Sequence, residues 1–141
     1  MKKFLLTKVL FILTLFALNA QSPIGLWQNI DDEDGKPKSH IEIYEQEGKL
    51  YGKVVKLLEG ATLSVCSKCK DERKNQPIEG MVILWDLEKD GDEYDDGYII
   101  DPKKGKTYNC KISMESADVL DVRGYLKVSI FGRTQQWTRV K

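Results

Sequence analysis

From Thr107 to Glu115 polar and apolar side chains alternate without a break. Tyr108, Cys110, Ile112 and Met114 take one face, and Thr107, Asn109, Lys111, Ser113 and Glu115 take the other. A period of two marks a β-strand with one face in a core and the other in water. The same pattern, less regular, runs through most of the chain. Residues 40–45 alternate, and Glu47-Gly48-Lys49 turns the chain into an apolar run over 50–57. Residues 82–87 read as a buried strand, Lys89-Asp90-Gly91-Asp92 as a hairpin turn, and 94–100 as the return strand. Asp101-Pro102-Lys103-Lys104-Gly105 is a further turn, with Pro and Gly where turn geometry wants them. Residues 119–125 pair back after Ser116-Ala117-Asp118, and 134–140 form the last strand. Residues 126–131 fit a strand or a short helix equally well.

With a first strand around Gly25-Leu26-Trp27, this makes about eight strands joined in sequence by hairpins, and no long 3.6-residue period. The expected fold is all-β: a single antiparallel up-and-down β-barrel of about eight strands. Closure is favoured because an open sheet leaves edges that template aggregation. Residues 60–80 break the pattern. They hold Cys66, Cys69 and Pro77 and read as a loop or short-helix excursion.

The first twenty residues belong to a different grammar. Met1-Lys2-Lys3 is basic, residues 4–18 are apolar apart from Thr7, Lys8 and Thr14, and Asn19-Ala20 precedes Gln21. This is the layout of a secretory signal peptide, and the run is too short for a bilayer span. The expected division is therefore 1–20 signal peptide and 21–141 barrel domain, exported to the periplasm or beyond in a Gram-negative bacterium. Cleavage removes Lys2, Lys3 and Lys8. The 22 basic residues fall to 19 against 22 acidic ones, and the mature charge is −3. A mildly acidic chain is not built for nucleic acid, whose binding depends on neutralising phosphates.

Chemistry-bearing motifs are few. Cys66-Ser67-Lys68-Cys69 is a C-x-x-C, and in an exported chain a disulfide is its default reading. A redox pair would sit beside a βαβ pattern, and a structural zinc would want four ligands. Only Cys66, Cys69, Cys110 and His40 are on offer, far apart in sequence. Cys110 falls on the apolar face of its strand and reads as a buried thiol. The acidic run from Asp86 to Asp96 opens like a calcium loop, but Gly97 stands at the twelfth position, where a bidentate Glu is needed. Gly105-Lys106-Thr107 ends like a phosphate-binding loop, but Ile100 occupies the place of its first Gly. His40 is the single histidine and reads as a solvated strand residue. No catalytic constellation, metal set or cofactor motif emerges, and the expectation is a protein that is not an enzyme.

Two short segments carry a resemblance. Gly25-Leu26-Trp27 and Gln136-Trp137-Thr138-Arg139, near the two ends of the mature chain, resemble the lipocalin and calycin signature. That resemblance implies Trp27 plugging the closed end of a barrel, with Arg139 stacked over it and Arg133 as the alternative. More of the chain follows a narrower pattern. It runs through Leu50-Tyr51-Gly52-Lys53-Val54, Cys66-Ser67-Lys68-Cys69, Pro77-Ile78-Glu79-Gly80, the stretch from Gly97 to Lys111, Val122-Arg123-Gly124-Tyr125, and the stretch from Phe131 to Val140. Together these resemble the bacterial lipocalin-like family numbered 2147 among the domains of unknown function. The resemblance implies an exported small barrel, no established activity and no catalytic residues to carry over.

A barrel of eight strands is just wide enough to be filled by side chains or to hold one small ligand. Trp85, Tyr108, Ile112, Met114 and Arg123 are the residue types a ligand cavity would use, and the expected ligand is small, apolar or fatty-acid-like. Arg123 has two readings. An inward Arg123 needs an acid or a carboxylate ligand beside it, whereas Leu120 and Val122 place the even positions inward and leave Arg123 in water. The competing expectation is a filled core, with function on the surface near residues 60–80 and a protein partner of unknown identity.

Overall fold

The computed structural model describes residues 21–128 and 130–141. The signal peptide read at 1–20 lies outside them. Eight antiparallel strands are hydrogen-bonded in sequence order, and the last pairs with the first to close a barrel. They are β1 (Gly25–Ile30), β2 (Pro37–Gln46), β3 (Lys49–Leu57), β4 (Val82–Asp90), β5 (Glu93–Asp101), β6 (Lys106–Ser116), β7 (Val119–Tyr125) and β8 (Gly132–Arg139). Closure rests on Trp27, Gln28 and Asn29 lying opposite Arg139, Thr138 and Trp137.

The alternation seen in β6 sets its inward face: Cys110 and Ile112 are buried, and Tyr108 and Met114 are half-buried. Leu120 and Val122 on β7 and Ile41 and Ile43 on β2 complete the same core. In β4 the alternation breaks. Asp86 adopts a left-handed backbone (φ 59°), as does Asp96 across the hairpin. That irregularity carries Leu84 and Leu87 both into the core. Gly97 then passes beneath Leu87, where a Cβ would lie 2.7 Å from the Leu87 side chain and from the Trp85 carbonyl oxygen.

One sequence expectation is corrected, and one is resolved in favour of the loop it offered. Residues 126–128 and 130–131 are neither strand nor helix but a loop, tied by Leu126 N–H to the Phe131 carbonyl at 3.1 Å and Phe131 N–H to the Val128 carbonyl at 3.1 Å. The excursion between β3 and β4 contains turns and one isolated bridge, Val65 to Pro77, and no helix. Among the described residues no helix is long and apolar enough to cross a membrane.

Candidate functional site: a cavity at the open end of the barrel

The two ends of the barrel are built differently. At one end, where β1 begins and β8 finishes, Trp27 is fully buried and its Nε1 donates to the Pro23 carbonyl at 2.8 Å. The Arg139 guanidinium lies 4.3 Å from its ring centroid. Arg139 Nε donates to the Ala117 carbonyl at 2.8 Å, and its terminal nitrogens donate to the carbonyls of Ile24 at 3.2 Å and Ser22 at 2.8 Å. Gly25 lets the guanidinium in: its φ is 141°, and a Cβ there would sit 2.7 Å from an Arg139 nitrogen. The Trp27 indole and each of the three guanidinium nitrogens of Arg139 donate to a backbone carbonyl, and the plug closes this end. Arg133, the alternative partner for Trp27, is at the opposite end, paired with Asp32.

That opposite end holds a cavity of about 460 Å³, within the range of small-molecule sites. One wall is apolar: Val54, Leu57, Ile83, Ile99, Tyr108 and Val122. The facing wall, on β1, β2 and β8, is polar: Asn29, Ser39, Gln135 and Trp137. The β3–β4 excursion contributes Ala61, Leu63 and Ile78, and the loop after β7 contributes Leu126 and Phe131.

The excursion is held against the barrel by its cysteines. Cys66 and Cys69 form a disulfide with Cα atoms 5.4 Å apart, and both are buried. It packs on the β5–β6 turn so closely that a Cβ on Gly105 (φ 66°) would lie 2.0 Å from the Lys68 carbonyl oxygen. Cys110 is a free thiol in the core, and burial pushes its pKa up.

The rim is charged, and its charges are largely matched. The loop between β1 and β2 crosses to two other elements. Arg133 pairs with Asp32 and, at 3.6 Å, with Glu33; Lys103 reaches Glu33 at 3.2 Å. The hydrogen bond from Arg133 holds the Asp32 carboxyl below its ordinary value, and the one from Lys103 does the same for Glu33. Lys38 pairs with Asp34 at 2.6 Å and also donates to the Gly60 carbonyl at 2.8 Å.

Of the five residues expected to contact a ligand, the structure places only Tyr108 on the cavity. Ile112 and Met114 are on the expected inward face but off the cavity, further along β6 toward the β6–β7 turn, where Arg139 of the plug donates to the Ala117 carbonyl. Alternation gives the face of a strand and carries no information about which end of the barrel is open. Trp85 is on the outer surface, stacked on Tyr98 at 5.7 Å with the Arg73 guanidinium 4.4 Å from its ring centroid. The irregularity at Asp86 is what turns Leu84 and Leu87 inward and Trp85 outward. Arg123 also faces outward, donating to Thr134 Oγ1 at 3.0 Å, as the inward Leu120 and Val122 require. His40 is set against Gln28 at 3.3 Å, away from the cavity.

The sequence reading missed the polar wall and the excursion's place on the cavity. Leu63 and Ile78, apolar residues in a segment without strand pattern but beside a C-x-x-C, were the available signal for the excursion. Asn29 and Ser39 carried none, because a polar residue at an inward position breaks the alternation that identifies inward positions.

Comparison with known proteins agrees with the geometry. A protein from Helicobacter pylori, HP1028, described as belonging to the lipocalin family, superimposes with a TM-score of 0.74 over 85% of this chain and 84% of its own, at 24% sequence identity. At that identity the likeness speaks to the fold, which is lipocalin-like. A search of curated proteins finds no match. Residues 25–139 match the family model described as "Uncharacterized protein conserved in bacteria (DUF2147)", a span from the first strand to the last, and the chain belongs to that family.

Proposed function

We propose that this protein is an exported, non-catalytic carrier that holds one small, largely apolar molecule in the open end of its barrel. The observation that carries the reading is the asymmetry of the two ends: one is plugged by Trp27 and Arg139, and the other encloses about 460 Å³ against an apolar wall. A barrel of this size fills with side chains unless space is kept, and space is kept here. Gly124 lies on the cavity, with Tyr108 and Ile99 as its neighbours. The export half of the proposal rests on the signal-peptide layout of residues 1–20. N-terminal sequencing of the exported protein should start within a residue or two of Gln21; an intact Met1 in the membrane fraction would contradict it.

The binding half is tested by titrating an environment-sensitive probe with an uncharged head and an apolar chain into the purified protein. Micromolar or tighter binding supports it, and no binding refutes it. A second reading, contact with a protein partner, is favoured by one feature. Val128, Ile130 and Phe131 are 50%, 75% and 70% exposed on the loop after β7, and contiguous exposed apolar surface marks interaction sites. The sequence pointed to residues 60–80 for such a surface, where Val65 at 38% is the exposed large apolar residue.

A further inference from the structure

Two buried tryptophans occupy the barrel interior, and their indole N–H groups have opposite fates. Trp27 Nε1 donates to the Pro23 carbonyl. Trp137 is 1% exposed, lies on the cavity wall, and its Nε1 has no hydrogen-bond partner; among the described residues it is the one buried side-chain polar atom in that state. Leaving a buried donor unmet is costly enough that native proteins rarely do it. Directly opposite Trp137 on β1 is Asn29, also on the cavity. Ser39 Oγ donates to Asn29 Oδ1 at 2.7 Å, which orients that amide, and its NH2 remains to donate. The polar wall therefore offers hydrogen-bond donors.

The charges say what kind of acceptor fits. Lys38, Lys103 and Arg133 are at the rim, each already paired with an acid of the β1–β2 loop. Asp31 and Asp101 line the same mouth. Lys104 lines the mouth as well, and the four cations are matched in number by Asp31, Glu33, Asp34 and Asp101, so an anion carried past them to the inner wall would give up its hydration for no net positive charge, which is costly. A neutral oxygen acceptor meets the donors without that cost. Resting on the carrier reading above, we infer that the ligand is a neutral carbonyl compound with an apolar chain, of the ester or amide class, whose carbonyl oxygen accepts from Trp137 Nε1 and the Asn29 amide while its chain lies along Val54, Ile83, Ile99 and Val122.

The test uses the exported protein, purified, delipidated and 15N-labelled, with three probes of equal chain length: a methyl alkanoate, an alkane and the alkanoate anion at pH 8. Each displaces a bound fluorophore from the cavity. The ester should displace it at about one-tenth the concentration of the alkane, the margin of one buried hydrogen bond, and at lower concentration than the anion. Saturating ester should also move the Trp137 indole N–H resonance downfield, which the alkane should not do. Trp137→Phe should bring the ester to the level of the alkane; because that variant could lose its fold, the wild-type indole shift serves as a readout that needs no substitution. Equal displacement by ester and alkane, an unmoved indole resonance, or an anion that binds as tightly as the ester with the same shift would overturn the inference while leaving the carrier reading intact. Failure of all three probes to displace the fluorophore would remove both.

Discussion

The guanidinium of Arg139 lies 4.3 Å over the ring of Trp27 and donates to backbone carbonyls of Ser22, Ile24 and Ala117, so a single residue of the last strand ties down the chain leading into β1, the β6–β7 turn and the indole between them. The contact accounts for the Gly in the opening Gly-x-Trp, since only a residue without Cβ clears the guanidinium at Gly25. Trp27→Ala should cost about 3–5 kcal/mol in denaturant unfolding, the usual penalty for emptying a core aromatic. Gly25→Ala should destabilise too, through the clash and the positive φ. A cost below ~1 kcal/mol for Trp27→Ala, the scale of a surface change, would show that the plug is not what closes the barrel.

Gly97 makes a second prediction of the same kind. Its would-be Cβ meets Leu87 and the Trp85 carbonyl oxygen at 2.7 Å, and a backbone oxygen has little room to retreat. Gly97→Ala should therefore lower stability by about 1–3 kcal/mol, the range for overpacking. Gly124→Ala, whose Cβ would rest at 3.5 Å from Tyr108 Cβ, should be tolerated. Thermal unfolding of the pair measures the contrast.

The disulfide should act locally. Loop-closure entropy for so short a ring gives a stabilisation of only about 2 kcal/mol. Its effect should concentrate in residues 58–81, where the excursion carries Ala61, Leu63 and Ile78 onto the cavity. Replacing both Cys66 and Cys69 with Ser should speed amide exchange in that segment more than in β6 or β7. Alkylation without reduction should label Cys110 alone, and only after unfolding.

Acid should loosen the rim before it unfolds the barrel. The folded pKa values of Asp32 and Glu33 are lowered, chiefly by hydrogen bonds from Arg133 and Lys103 respectively. A lowered carboxyl pKa contributes stability that is present above the unfolded value, about 4, and is lost as the pH falls through the folded one. Lys103 is raised by the same pair, so its share persists until strongly alkaline pH. Amide exchange of residues 31–36, read from pH 7 down to 3 and corrected for intrinsic rates, should lose protection while Ile41 and Ile112 keep theirs.

The sequence carried the barrel because its signals are local. Asp90-Gly91 sets a hairpin and the alternation in β6 sets a face, and each can be read from a few neighbouring residues. The plug was legible through resemblance, since Gly25, Trp27 and Arg139 touch across the length of the chain. The cavity was not. Ile112 and Tyr108 share one face of one strand, yet one is in the filled half and the other in the open half. That difference depends on what the neighbouring strands place opposite them. Asn29 and Ser39 are the clearest case: polar residues turned inward, visible as a wall only when β1, β2 and β8 are seen together.

The central claim, that the end of the barrel away from Trp27 is a binding cavity, is tested most directly by filling it. Gly124 is the place to do so, because it lines the cavity and a Cβ there would meet its neighbours Tyr108 and Ile99 at ordinary van der Waals distance. Titration of an uncharged, apolar-chain fluorescent probe into wild type and Gly124→Leu, with unfolding midpoints for both, is the decisive measurement. Micromolar binding by the wild type that weakens at least tenfold in a folded Gly124→Leu is the predicted result. Equal binding by the two folded proteins would contradict the account.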